Sequence, residues 1–412
     1  MNMKVLISGG GIGGFALARL LRDAGHDCLV IERAREFRPL GHFVALKAEG
    51  VAMLDRLGVR EECEARALPL SGRVRFRTQA GQFLRAEQLA ALNAGLGGFL
   101  PIRRADLHDV LHRRVRDDVD VRFGTEVTDF REEAGRVTVV LSDGREEWGD
   151  MLIGADGVHS KVRKRLFGES GEHLLGGSYV AIDIEVAHGL ELGELSAYLG
   201  RGKMVAMVPS APGRLSVIVY HGGESLRPKL RGATATRAFF AREYNAFAPE
   251  VRTAFARIDD QSFVFVDDIK MICLDSIVRG RVGLLGDAAA CPTFLSGMGS
   301  AFALQSAAVL TEALSTTSDA QAALATYSAR VQPIAERLQR NARWMGSMIL
   351  GRNRAVVAVR DSFLALTPRG WMMERMRSFY SARREGARAA WACPGYVDSR
   401  VKMPSSKSTG LR

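Results

Sequence analysis

The 412-residue chain contains no apolar run near the roughly 20 residues that span a bilayer, which excludes a transmembrane segment. Cysteine is scarce and dispersed: Cys28, Cys63, Cys273, Cys291 and Cys393 form no C-x-x-C pair and have no histidine-rich neighbour. That pattern excludes a disulfide frame and a zinc ribbon, and it reads as reduced thiols of a cytoplasmic protein without a metal site. No cationic, apolar leader comes first, because MNMKVLISGGG runs straight into a strand pattern. Surplus positive charge is absent from most of the chain too. Residues 331–412 hold 16 Lys and Arg against 5 Asp and Glu, which accounts for the whole net charge of +11. A neutral body with a basic end is not the footprint of a nucleic-acid binder. Solvated helix faces and a disordered terminus are the plain reading of that end. An anionic substrate, a carrier protein or a weak peripheral membrane contact are the alternatives.

What is present is a long alternation of strand and helix patterns, with 47% hydrophobic residues and length enough for more than one domain. Met3–Ser8 is an apolar strand, Phe15–Ala24 has helical spacing closed by Gly25, and Cys28–Glu32 is a second apolar strand. Arg103–Arg116 is helical. Val119–Phe130 and Arg136–Leu141 are strands split by the polar turn Glu132–Gly135, and Met151–Gly154 is another apolar strand. Between Gly176 and Val266 the texture changes. Tyr179–Val186, Met204–Val208 and Leu215–Tyr220 are strand-like and separated by turns such as Pro209–Gly213, which predicts an inserted antiparallel sheet, with Thr234–Phe247 helical. Gly283–Gly286 then returns as a buried strand. Helical stretches follow at Ser300–Leu314, Ala320–Leu350 (with Pro333 inside) and Arg354–Arg384, before a Ser/Lys/Gly end from Pro404.

The first turn carries chemistry. Gly9-Gly10-Gly11-Ile12-Gly13-Gly14 is a G-x-G-x-x-G element between a strand and a helix. Its glycines permit a tight turn, a close approach of backbone to a pyrophosphate, and close packing of helix on strand. Glu32, at the end of the second strand, stands where a carboxylate accepts from ribose hydroxyls and repels a 2′-phosphate. The nucleotide is therefore FAD or NAD, not NADP. The bland alternative is a glycine-rich turn with a surface glutamate.

Two later segments decide between them by resemblance. DMLIGADGVHSKVR, with Gly154, Asp156, Gly157, Ser160 and Arg163, resembles the GADG…S…R signature of the aromatic-hydroxylase flavoproteins. GRVGLLGDAAACP, holding Gly286, Asp287 and Pro292, together with Gly297-Met298-Gly299, resembles that family's GD signature. Arg104-Ala-Asp-Leu107 with Leu111 resembles the place of a cofactor-binding arginine, and Gly41–Val59 resembles the segment after the first ribose-binding strand. The matches run in order from residue 9 to about 305. The chain thus resembles the class A FAD-dependent monooxygenases of the p-hydroxybenzoate hydroxylase and tetracycline-degrading type. It departs from them at Ala290, where His is frequent, and at Ala48-Glu49, where Pro-Asn is frequent.

The resemblance implies an α/β fold: a Rossmann-like FAD-binding domain with an inserted antiparallel-sheet substrate domain and C-terminal helices. Residues 1–72, 100–175 and 268–345 would form the FAD-binding domain, 73–99 and 176–267 the substrate domain, and 346–412 the C-terminal helices and basic tail. It implies non-covalent FAD held by Gly9, Gly11, Ile12, Gly13, Gly14, Glu32, Arg33, Arg104, Asp156, Gly286, Asp287, Pro292, Gly297, Met298 and Gly299. NAD(P)H is the implied co-substrate, and no second nucleotide unit appears for it. O₂ adds at flavin C4a and the hydroperoxide oxygenates a small, aromatic or polyketide-like molecule of secondary metabolism. The bland alternatives are an ordinary helix cap for Asp287 and a turn-forming Asp-Gly for Asp156. A flavin-dependent reductase or dehydrogenase, a halogenase-like enzyme (although no W-x-W-x-I-P motif is present) and a flavin-binding sensor are the competing functions. No catalytic base is identified. His42 and His221 are candidates, with a surface histidine the plain reading of each. Arg354–Arg384, with Trp371, Met372, Met373, Met376 and Phe379 beside Arg375, Arg377, Arg383 and Arg384, is either a lid over the substrate entrance or a helix packed on the cofactor domain.

Overall fold

A computed structural model describes residues 2–374 except 39–42, 70, 96, 134, 170, 187–189, 191, 294–296, 350, 369 and 372–373, with backbone alone for 344–349. The strand Lys4–Ser8 has the apolar centre Val5-Leu6-Ile7 because it is covered on both sides, as a central parallel strand must be. It pairs in parallel with Met151–Gly154 on one side and Asp27–Glu32 on the other. The six-stranded sheet runs Val278–Arg279, Val282–Leu284, Met151–Gly154, Lys4–Ser8, Asp27–Glu32, Asp120–Phe123. Only its Val278–Arg279 edge is antiparallel. The helices Ile12–Asp23 and Gly299–Thr316 cross one another, and Gly13 makes this possible. A Cβ there would lie 2.6 Å from Leu285 and 3.3 Å from the Ala303 methyl.

A second sheet of seven strands orders Phe263–Ile272, Glu172–Glu185, Arg214–Gly222, Lys203–Ala211, Leu195–Leu199, Arg73–Thr78, Phe83–Gln88. Its pairings are antiparallel except that of Leu195–Leu199 with Arg73–Thr78, which is parallel. One face packs Val180, Ile182 and Val219 against the helices Ala233–Glu243 and Pro249–Ala256, where Phe240 and Phe255 stack at 4.0 Å. The opposite face presents Tyr179, Ala181 and Tyr220. The ribbon of Phe43–Lys47 with Phe99–Arg103 and the three-stranded sheet Glu146–Gly149, Arg136–Leu141, Val127–Glu133 complete the strands. Among the described residues no helix is long and apolar enough to cross a membrane.

Several sequence expectations shift. Val119–Phe130 is not one strand: Asp120–Phe123 joins the parallel sheet and Val127–Glu133 the three-stranded one, with a change of direction at Gly124 (φ 74°). Pro209 lies inside the strand Lys203–Ala211 instead of starting a turn, at the position where that pairing slips. The helix that starts at Arg354 ends at Leu366, because Thr367 precedes Pro368 and is held extended (φ −68°, ψ 129°), and helical backbone resumes at Gly370. Met372, Met373 and the residues beyond Glu374 lie outside the described residues.

Candidate active site

The C-terminal ends of four parallel strands are tied together: the Gly9 amide donates to the Ile31 carbonyl at 2.8 Å, the Ala155 amide to the Ser8 carbonyl at 2.8 Å and the Leu285 amide to the Gly154 carbonyl at 2.9 Å. They open on a cavity of about 510 Å³ that reaches across to the seven-stranded sheet. The glycine turn forms its floor. A Cβ at Gly14 would sit 1.9 Å from the Gly9 carbonyl oxygen, so Gly14 is required by the turn itself and does not line the cavity. A Cβ at Gly11 would meet nothing within 4 Å, because Gly11 faces open space at the N-terminus of Ile12–Asp23. Gly9, Ile12 and Gly13 line the cavity beside it. No acidic residue stands in that helix's first turn, so its free N–H groups and positive end face the opening.

Glu32 lies on the rim with Arg33, which is exposed. Its two oxygens accept from the Gly10 amide at 2.7 Å and the Ala34 amide at 2.8 Å. The carboxylate therefore holds the glycine turn in place as well as facing the cavity. Behind the turn, His108 Nε2 contacts the Gly10 carbonyl at 2.7 Å and stacks on Phe15. Burial lowers the His108 pKa, so this ring is neutral.

Asp156 serves two ends. One oxygen accepts from the Lys161 and Val162 amides at 2.8 and 3.3 Å, capping the helix Lys161–Phe167, and Gly157 turns the chain at φ 78°. The other oxygen is buried on the cavity wall with no hydrogen-bond partner. A buried acceptor in that state costs about 1–3 kcal/mol, and a ligand hydroxyl removes the cost. Ser160 caps the same helix by accepting from the Arg163 amide at 2.9 Å. Arg163, almost wholly buried, donates to the Val158 carbonyl at 2.7 Å and the Ala288 carbonyl at 3.3 Å. The arginine of the first signature thus locks its loop to the second.

Asp287 is not the cap of the following helix. It sits in a short 3₁₀ turn, Gly286–Ala288, while Gly299–Thr316 starts after Met298. Burial raises the Asp287 pKa against the pull of Arg104 and Arg163. Burial lowers that of Arg104 against Asp287 and Tyr179. Asp287 and Arg104 both lie on the cavity wall with Gly286, Gly297 and Gly299. Pro292 and Met298 are buried behind it. The second helix to open here also has no acid in its first turn. Thr293, on the same loop, has φ 66°, the one left-handed non-glycine among the described residues.

The far wall comes from residues that sequence reasoning missed: Tyr179, Ile218 and Tyr220, with Phe43, Val44 and Leu46 from the ribbon. Strand alternation was the available signal. Ile218 and Tyr220 share one face, which places His221 on the other. His221 is accordingly not in the cavity. Its Nδ1 meets the Tyr244 hydroxyl at 3.0 Å on the helix-packed side, and burial, with Lys203 close by, lowers its pKa to about 4. It is neither a surface histidine nor a base for this site. His42 lies outside the described residues. His159 was missed as well. It lines the cavity and contacts the buried Asp267 at 3.0 Å.

Residues 2–342 match the FAD binding domain family. An FAD-dependent urate hydroxylase of Klebsiella pneumoniae is 33% identical over 340 residues, covering 80% of this chain and 85% of the relative. The 2-heptyl-3-hydroxy-4(1H)-quinolone synthase of Pseudomonas aeruginosa is 30% identical over 310 residues, covering 75% and 80%. Among solved structures, Klebsiella pneumoniae HpxO complexed with FAD and uric acid superposes with a TM-score of 0.80 at 28% identity, covering 92% of this chain and 96% of that one. The tetracycline destructase Tet(51), at a TM-score of 0.73 and 22% identity over 92% and 97% of the two chains, shares the fold.

Proposed function

The chain belongs to the FAD binding domain family and is an FAD-dependent monooxygenase; from that premise we propose that the cavity holds FAD non-covalently along the glycine turn, with its reactive end toward Tyr179 and Tyr220. In this assignment Gly9, Gly11, Ile12 and Gly13, on the turn that Gly14 lets form, take the pyrophosphate with the free N–H groups of Ile12–Asp23, and Glu32 and Arg33 take the adenosine end. Asp156, Arg104 and Asp287 take the middle of the cofactor, and Gly286, Pro292, Gly297, Met298 and Gly299 form the bed of its ring. The observation that carries the reading is the orphaned Asp156 oxygen on the wall of a cavity into which two helix N-termini open. Bound there, FAD supplies the redox and oxygen chemistry, drawing electrons from NAD(P)H.

The protein's part is to bind, orient and exclude water. The positive end of Gly299–Thr316 favours negative charge at the ring's edge. Tyr179, Ile218, Tyr220 and Leu46 make the facing wall apolar and aromatic, which suits a planar aromatic or heteroaromatic substrate and keeps water from the reacting atoms. The relatives described above, a urate hydroxylase and a quinolone synthase, support that class. We further place the enzyme in the cytoplasm, divide it at the boundaries given above, and assign the basic end a weak contact with a membrane surface or a carrier protein.

The test is a panel of planar aromatics with the FAD-loaded chain, NAD(P)H and isotopically labelled O₂. A monooxygenase oxidises NAD(P)H faster with its substrate and places one labelled oxygen in the product. Faster oxidation with an unlabelled product would establish the reductase or dehydrogenase alternative.

A further inference from the structure

The helix Arg354–Leu366 leaves an apolar stripe in the open. Its inward side combines Arg360, only 4% exposed and donating to the Gly200 carbonyl at 3.0 Å, with the half-buried Val357, Phe363 and Leu364. Arg85 donates to the Thr367 carbonyl at 2.7 Å, and the Gly202 amide to the Gly351 carbonyl at 2.9 Å. These contacts dock the helix on the rim of the seven-stranded sheet and leave Val356, Val359 and Leu366 outward. Ala355, Val359, Ser362 and Leu366 form an exposed stripe at i, i+4, i+7 and i+11, flanked by Val356 and Ala365. Val359 is 67% exposed, Leu366 79% and the nearby Trp371 49%. That spacing ordinarily marks the side of a helix that enters a core, and a contiguous apolar surface marks a place of contact. Exposed cations stand at the helix's start, at Arg201, Arg352 and Arg354. The whole net charge of the chain resides in residues 331–412.

We propose that this outward face is a docking surface for an anionic lipid bilayer, with Val356, Val359, Leu366 and Trp371 entering at headgroup depth. This rests on the reading of the basic end as a contact region and commits it to lipid. An apolar helix face beside clustered cations is the combination that lies in a bilayer interface. Two copies meeting across the stripe would bring Arg201, Arg352 and Arg354 of each toward one another, so charge disfavours self-pairing.

Flotation of the FAD-loaded full chain tests the proposal, using phosphatidylcholine vesicles with and without phosphatidylglycerol, beside V359D/L366D. The wild type is expected to bind the phosphatidylglycerol vesicles about tenfold or more tightly than pure phosphatidylcholine. V359D/L366D should weaken that binding by about tenfold or more, with its FAD content and melting temperature unchanged. No flotation of the wild type overturns both the proposal and the membrane contact of the basic end, and leaves the carrier-protein contact standing. Salt-sensitive flotation that V359D/L366D leaves intact overturns the helix's role alone. A wild-type dimer in sedimentation that V359D/L366D disperses, without flotation, assigns the face to a second copy and overturns the lipid proposal.

Discussion

Single residues in this site are positioned by what they do for the backbone as much as for a ligand. Glu32 pins the glycine turn through the Gly10 amide, and Asp156 caps a helix with one oxygen while the other waits on the cavity wall. Asp287 has no such second task at a helix start, and it lies buried on the same cavity wall as Arg104. An acceptor of this kind contributes about 1.5–3 kcal/mol when charged. Asp287→Ala should therefore weaken FAD binding roughly ten- to a hundred-fold in a fluorescence titration of the apoprotein, and His221→Gln should leave it unchanged. Equal affinities for the wild type and Asp287→Ala would remove Asp287 from the cofactor site. His221 has its own signature. The unfolded chain takes up a proton near the ordinary 6.5, whereas the folded chain refuses it until about 4. More protons are bound by the unfolded state inside that window, so stability falls as pH drops from 6.5 toward 4 and does not change on this account above it. Melting temperatures across the window should show a shallower decline for His221→Gln than for the wild type. Identical slopes would mean that His221 is solvated.

At the scale of elements, the two glycines of the first turn separate folding from binding. Gly14→Ala places a methyl on the Gly9 carbonyl and should give an unfolded or flavin-free protein. Gly11→Ala places one in open space at a backbone conformation (φ −76°) that alanine adopts freely. It should keep the melting temperature of the apoprotein and lose about tenfold or more in FAD affinity, since its methyl occupies the path of the pyrophosphate. A Gly11→Ala protein with wild-type affinity would move the phosphates elsewhere. The elements themselves were unevenly legible. Lys4–Ser8 and Met151–Gly154 could be read directly, because strands buried on both faces are continuous apolar runs. Val119–Phe130 could not be divided, since the change of sheet at Gly124 leaves no apolar gap for a periodicity argument to find. The stop at Leu366 was legible in Pro368, but the apolar pattern beyond it concealed the break. Tyr179 and Tyr220 belong to no sequence motif, although alternation from either strand places them on one face.

At the scale of the whole molecule, the cavity belongs to neither sheet. The parallel sheet supplies the glycine turn, Asp156 and Asp287, and the seven-stranded sheet supplies Tyr179, Ile218 and Tyr220. His159, beside the parallel sheet, contacts Asp267 of the seven-stranded sheet at 3.0 Å. The parallel pairing of Leu195–Leu199 with Arg73–Thr78 joins segments over a hundred residues apart, which local pattern cannot reveal. The account's central claim is that FAD fills this shared cavity without a covalent bond. Its most direct test is mass spectrometry of the purified chain before and after denaturation. The account predicts about one equivalent of intact FAD in the supernatant and an unmodified polypeptide mass. A colourless protein that gains no flavin when FAD is added, or a polypeptide that keeps the flavin mass after denaturation, would contradict it.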